Sequence, residues 1–261
     1  MEVDVPLLTQ KAPIDCHIDL VESQCMGKRC YLQSSPEYGM KRLLSEGIGD
    51  IYQLSHVFRD GDRGERHNPE FTMVEWYRIG FSFEEMMEET ALFLRLFLDV
   101  NGVETLSYKE AFRKYAHVDV SDIVYDRDIV FASAVEPHLG REGLTILKDF
   151  PPEEAALSQI SEKNGERIAE RFEFFYQGFE LANGYHELID PIEQRKRLEE
   201  ANEKRAKLNK GRYPMDDYFL AAVEKGLPDM CGVACGFDRM MMLRLGLTNI
   251  EDVLPFSWDH T

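Results

Sequence analysis

Positive charge is what this chain has too little of. Thirty lysines and arginines stand against 48 aspartates and glutamates over 261 residues, a formal net charge of −18. Affinity for a nucleic-acid backbone comes largely from cations that neutralise phosphates, so the deficit argues against a protein that wraps a polyanion. It leaves room for a local basic site for one nucleotide, and it favours a partner that presents a lysine or a basic loop. Long apolar runs are also missing. A membrane span needs roughly 18–20 apolar residues, and the longest segment here, 91–100, is interrupted by Arg95 and Asp99. The first residues carry Glu2 and Asp4 and no basic start, unlike a secretory signal; a cytoplasmic protein with no membrane partner is expected. Cysteine is scarce, with Cys16, Cys25, Cys30, Cys231 and Cys235 odd in number and without a C-x-x-C pair. That disfavours zinc and points to reduced thiols, with Cys231 and Cys235 as packing positions among small residues. Repeats, low-complexity linkers and a second hydrophobic unit are absent, so one domain over residues 1–261 is expected, large enough to bury a core.

Local patterns divide the chain into elements. Residues 1–20 alternate loosely and suggest strands. Tyr31-Leu32-Gln33 leads into a helix over 36–46, with Ser35 as cap, Pro36 at its first position and Glu37 in its first turn. Residues 51–59 read as a strand, 60–66 as a polar loop, and Phe71-Thr72-Met73-Val74-Glu75-Trp76-Tyr77 as a second strand. An amphipathic helix covers 82–98, its methionines belonging to the core. Residues 107–159 read as short helices and loops with a break at Pro151-Pro152. Residues 191–210 read as a charged helix with a solvated outer face, Glu199/Glu203 and Glu200/Lys204 lying four residues apart.

Three clusters carry chemistry. Along the strand after Arg59 and His67-Asn68-Pro69-Glu70, alternate residues share a face. Phe71, Met73, Glu75 and Tyr77 therefore line up, and a carboxylate on a core strand needs a partner. In the second cluster, a hairpin turning at Gln177-Gly178 pairs Phe175 with Glu180 and Glu173 with Ala182. Glu173 and Glu180 then lie on one face, within reach of a shared divalent cation. Asn183, Tyr185 and Glu187 share a face that a regular strand turns away from Glu180, whereas a bulge at Gly184 would bring them together. The third cluster, Gly232-Val233-Ala234-Cys235-Gly236-Phe237-Asp238-Arg239, is a small-residue strand entering a helix. Its glycines allow close approach of a flat ligand. Arg239 and Arg59 supply two guanidiniums, natural partners of a triphosphate.

In this order the clusters resemble the catalytic core of class II aminoacyl-tRNA synthetases, most closely the lysyl branch. Phe58-Arg59 with His67 to Phe71 is similar to motif 2, Gly232 to Arg239 to motif 3, and Glu180 to Glu187 to the lysyl signature between them. The match covers nearly the whole chain. Ser34-Ser35-Pro36-Glu37-Tyr38-Gly39-Met40-Lys41-Arg42-Leu43-Leu44 and Thr72 to Tyr77 resemble, more narrowly, the truncated lysyl-tRNA synthetase-like family that modifies elongation factor P. The resemblance implies an α+β fold, an antiparallel sheet flanked by helices. It also implies ATP and Mg²⁺ as cofactors, with activation of lysine or (R)-β-lysine as an adenylate and transfer to a lysine of elongation factor P. No anticodon-binding domain is expected, a tRNA acceptor is not expected, and a homodimer is the candidate assembly. The chain opens inside motif 1.

Residue roles follow from the resemblance alone. Arg59 would hold the α-phosphate and the substrate carboxylate, while His67 and Asn68 touch phosphates or ribose. Phe71 would stack on adenine, Arg239 would clamp the nucleotide, and Glu180, Leu181 and Gly236 would add nucleotide contacts. Glu173 and Glu180 would hold Mg²⁺. Ser35, Pro36 and Glu37 would meet the substrate near its reacting amine, with Asn183 at its carboxylate. Tyr77 and Glu187 would bind the distal ammonium, with Glu75 in support. Ala234 stands where lysyl synthetases have glycine, which implies a reshaped substrate site. Motif 2 departs from Arg-x-Glu, reading Arg59-Asp60-Gly61, and Asp62 or Glu65 are the loop residues able to replace that glutamate. A tRNA-charging enzyme and a weakly catalytic amino-acid-binding paralogue are the alternatives.

Overall fold

A computed structural model describes residues 1–11, 13–123 and 127–261. Position 12 of the N-terminal alternation and positions 124–126 of the segment read as short helices and loops lie outside the described residues. In chain order the elements begin with β1 (Leu8–Thr9), β2 (Glu22–Cys25), β3 (Lys28–Leu32), α1 (Glu37–Leu44), β4 (Ile51–Phe58) and β5 (Glu70–Ile79). Then come α2 (Phe83–Phe97), β6 (Val103–Ser107), α3 (Tyr108–Ala111), α4 (Arg127–Val130) and β7 (Leu144–Phe150). The chain continues through β8 (Ile160–Lys163), β9 (Glu166–Tyr176), β10 (Phe179–His186) and α5 (Pro191–Lys207). It ends with α6 (Asp217–Lys225), β11 (Met230–Gly236) and α7 (Phe237–Arg244). Packing groups these into two compact units, one of residues 1–80, 188–230 and 236–261, the other of residues 81–187 and 231–235.

The first unit is built on the β4–β5 hairpin, antiparallel from Ile51↔Tyr77 to Phe58↔Glu70. Both faces of β5 are covered from Met73 to Tyr77, so Glu75 is a buried carboxylate within the strand. A small antiparallel sheet, β1–β3–β2, lies in the same unit. Helix α1 starts one residue later than expected, at Glu37, with Pro36 at the cap position and already in the helical region; the Glu37 N–H donates to Ser35 Oγ at 3.0 Å. Tyr38 of α1 stacks on Phe219 of α6, ring centroids 4.0 Å apart. Helix α5 differs from its expectation. It ends at Lys207 and is not merely a solvated face, for Gln194, Leu198, Asn202 and Arg205 are buried. Arg205 is 1% exposed, and its guanidinium makes four hydrogen bonds. It donates to the carbonyls of Asp15, Ile18 and Gly211 and to Asp19, and it stacks on Tyr213. A polar stripe hid this buried face from a hydrophobicity pattern.

The second unit is a sheet in the order β11–β10–β9–β7–β6, with β8 also paired to β9. It is antiparallel except for the β6–β7 pair, which is parallel, a departure from a purely antiparallel sheet. β7 corrects the reading of 107–159 as helices and loops. Leu144, Thr145, Ile146 and Leu147 are all buried, and a short run buried on both faces lacks the alternation that marks a strand. The loop-and-helix part packs Tyr108, Phe112, Val135 and Leu139 against Leu147, Phe150 and Phe175. Helix α2 begins at a capping box, Ser82 and Glu85 satisfying each other's backbone N–H.

The β9–β10 hairpin turns at Gln177-Gly178 as expected, both residues at positive φ (54° and 77°), the requirement of a two-residue type I′ turn. Its register needs correction. Glu180 faces Phe175, but Ala182 faces Phe174 and Asn183 faces Glu173, with the irregularity between Glu180 and Ala182. The extra residue is Leu181, not Gly184. Gly184 has a different cause: a Cβ there would lie 2.2 Å from Cζ of Phe172, so the ring occupies the side-chain position.

Candidate active site

In the first unit, β5 presents Glu75 and Tyr77, both under 4% exposed. Tyr77 donates its phenol proton to Glu75 Oε1 at 2.6 Å, and Ser35 donates to Glu75 Oε2 at 2.7 Å. Two hydroxyls thus orient a buried carboxylate, the arrangement needed to receive a cation in a dry place. Ser35, Glu75 and Tyr77 of the sequence-derived set are brought together here. Glu37 stands on the adjoining first turn of α1, its backbone capped by the same Ser35, and its Oε1 accepts from Lys41 Nζ at 2.5 Å. Pro36 is buried between Ser35 and Glu37.

The same unit carries the arginine and the loop. Arg59 leaves β4 with its backbone N–H on the Pro69 carbonyl at 2.9 Å. Its guanidinium lies over the Phe71 ring, 5.1 Å from the centroid, a cation–π contact. The buried Nε of Arg59 has no hydrogen-bond partner among the described residues, and a buried donor left open is costly unless a ligand takes it. The loop closes on itself through Gly64 and His67. Asn68 braces its base by donating to the Glu70 carbonyl at 2.6 Å. Arg239, one turn into α7 after Gly236, donates to His67 Nε2 at 3.0 Å and to the Arg66 carbonyl at 3.3 Å. So Arg239 and His67 meet, and Gly236 caps the helix that carries the arginine. Asp238 was invisible as a site residue. It accepts from the Thr72 N–H at 2.6 Å, pinning α7 to β5, and burial pushes its carboxyl up despite that hydrogen bond.

In the second unit the shifted register puts Ala234, Asn183 and Glu173 side by side across β11, β10 and β9. Because Leu181 is the bulge, Asn183 shares a face with Glu180 as well. Burial pushes the Glu173 carboxyl up, and the nearby Glu180 charge adds to this against the pull of Arg171. The guanidinium of Arg171 donates to Glu173 and to the Glu154 carbonyl, and it lies 4.5 Å over Phe150. Burial opposes its charge, but Glu173, Tyr185 and Glu180 more than offset that. Glu187 is buried at 1% exposure just beyond β10, opposite Ser158. Sequence reasoning missed Arg171 and Glu154, whose contacts depend on a carbonyl and a ring from distant parts of the chain. The spacing of Lys41 from Glu37 was a readable signal.

The residues able to hold a divalent cation lie on β9 and β10. Glu173 and Glu180 offer hard carboxylate oxygens, and the buried Oδ1 of Asn183 beside them has no hydrogen-bond partner among the described residues. Among the described residues no group of three or more His, Cys, Asp or Glu converges as a cage. Mg²⁺ commonly uses one or two carboxylates together with phosphate oxygens and water.

The family model described as tRNA synthetases class II (D, K and N) matches residues 1–260. A protein of Edwardsiella ictaluri (strain 93-146) named elongation factor P–(R)-beta-lysine ligase is 42% identical over all of this chain and 89% of its own length. Proteins of the same name from Enterobacter sp. (strain 638) and Salmonella arizonae are 40% and 39% identical, with the same coverage. A family model spanning residues 1–260 and relatives about 40% identical over the whole of this chain lead to one conclusion: the chain belongs to the class II tRNA synthetases of the D, K and N group.

Proposed function

We propose that this protein is an ATP-dependent, AMP-forming amino acid ligase that activates lysine or (R)-β-lysine and transfers it to a lysine side chain of elongation factor P. The observation that carries the reading is the buried Glu75 carboxylate, oriented by the hydroxyls of Tyr77 and Ser35. An ammonium-bearing substrate is the natural occupant of such a group. The names of the full-length relatives supply the acceptor, and the net charge of −18 suits an acceptor that presents a lysine. One family model over residues 1–260 supports a single catalytic domain. No helix among the described residues is long and apolar enough to cross a membrane, and we take the cytoplasm as its compartment.

In the first step an oxygen of the substrate carboxylate attacks the α-phosphorus of ATP, and the bond to the pyrophosphate oxygen breaks. Arg59 neutralises the charge that builds there, while Phe71 supplies a face for the base and Arg239 with His67 grips the nucleotide. Glu75 and Tyr77 hold the distal ammonium, and Glu37 takes the amine near the reacting end. Mg²⁺, held by Glu173 and Glu180, would supply charge neutralisation at the phosphates. In the second step the neutral acceptor amine attacks the adenylate carbonyl, AMP leaves with the bond electrons, and the new amide nitrogen loses a proton. No covalent enzyme intermediate is required, so rate comes from positioning and charge stabilisation. Lysine-dependent ATP–pyrophosphate exchange tests the reading: Arg59→Ala should lower it by about a hundredfold or more. Wild-type exchange in that variant would refute Arg59's role.

A further inference from the structure

Lys41 is a lysine with 0% exposure. It lies on α1 among the buried side chains of Tyr38, Met40 and Leu44. Its Nζ donates to Glu37 Oε1 at 2.5 Å, while the Glu37 side chain keeps 18% exposure. An exposed pair at this spacing stabilises a helix by only about 0.2–0.5 kcal/mol. A buried pair is no better evidence for stability, since desolvating both charges offsets their attraction. What the pair provides is geometry. One oxygen of Glu37 is tied to a cation that packing holds still, and the backbone of Glu37 is tied to Ser35, which is itself bound to Glu75. Glu37 therefore approaches a ligand from one fixed position, linked by hydrogen bonds to the carboxylate on β5.

We propose that Lys41 is a positioning residue that sets which lysine isomer the site accepts, by fixing Glu37 relative to the reacting carboxyl of the substrate. This rests on the reading above, in which Glu37 receives the amine near the reacting end. In α-lysine and β-lysine that amine differs by one carbon along the chain. A glutamate free to swing on its two-methylene stem follows the amine to either place. A glutamate pinned by a buried ammonium meets one isomer and misses the other.

The test compares wild type, Lys41→Met, Lys41→Gln and Glu37→Asp in ATP–pyrophosphate exchange with α-lysine and with (R)-β-lysine, thermal melts reporting folding. In wild type the ratio of kcat/KM for the two isomers should depart clearly from one. A misplacement of one methylene is worth about 10–200-fold in discrimination, so removing Lys41 should move that ratio toward one by about tenfold or more. Glu37→Asp keeps the charge but shortens the stem, and it should shift the ratio too; it is decisive if neither Lys41 variant folds. A wild-type ratio of one, a ratio unchanged in a folded Lys41 variant, or an unchanged ratio in Glu37→Asp overturns the proposal. A merely structural lysine would lower both isomers equally and leave the ratio alone. Wild-type protein inactive with both isomers would instead sink the ligase reading on which the proposal depends.

Discussion

Glu75 shows how much a single residue's environment can decide. A glutamate on a strand buried on both faces is costly unless each oxygen has a partner, and here Tyr77 and Ser35 bind one oxygen each. The period of two made the Glu75 and Tyr77 alignment legible, because alternate residues of β5 must share a face. Ser35, forty positions away, was assigned through the resemblance of its motif, and no local rule brings it to that carboxylate. Tyr77→Phe removes a donor from a buried carboxylate at 2.6 Å, a loss of about 1–2 kcal/mol. The expected result is a rise of roughly tenfold in the KM for lysine with the fold intact; an unchanged KM would separate this pair from substrate binding.

At the scale of elements, ends and turns were easier to read than pairings. The apolar period placed α2 over 82–98, close to the observed Phe83–Phe97, and Gln177-Gly178 marks a turn, because periodicity and turn chemistry are local. The bulge at Leu181 was not legible: the residue is apolar, it carries no backbone signature, and its effect is seen only in what Asn183 faces across the sheet. β7 was missed for the opposite reason, since it is buried on both faces and shows no alternation. Gly184 looked like the bulge and is instead a packing contact with the Phe172 ring. Gly184→Ala should therefore destabilise the protein by about 1–3 kcal/mol, the added Cβ meeting the ring 2.2 Å away. The readout is the thermal midpoint, and an unaltered midpoint would show that β10 can shift at little cost.

For the whole molecule, composition spoke clearly about what is excluded and faintly about what is bound. The charge of −18 ruled against nucleic-acid wrapping before any motif was considered, and the family match over residues 1–260 then explained the order of the motifs. An acidic enzyme acting on a lysine-bearing protein should use long-range attraction to find it. Raising ionic strength from about 0.01 M to 0.15 M shortens the screening length from about 30 Å to 8 Å. Transfer to the acceptor should slow markedly over that range, while lysine-dependent pyrophosphate exchange changes little; equal salt sensitivity of both would contradict this. The most direct measurement is the fate of the label when the protein is incubated with ATP, radiolabelled lysine or (R)-β-lysine, elongation factor P and tRNA together. Label on a lysine of elongation factor P, dependent on ATP and lost in Arg59→Ala, is the predicted result. Label on tRNA, or lysine binding with label on neither acceptor, would contradict the account.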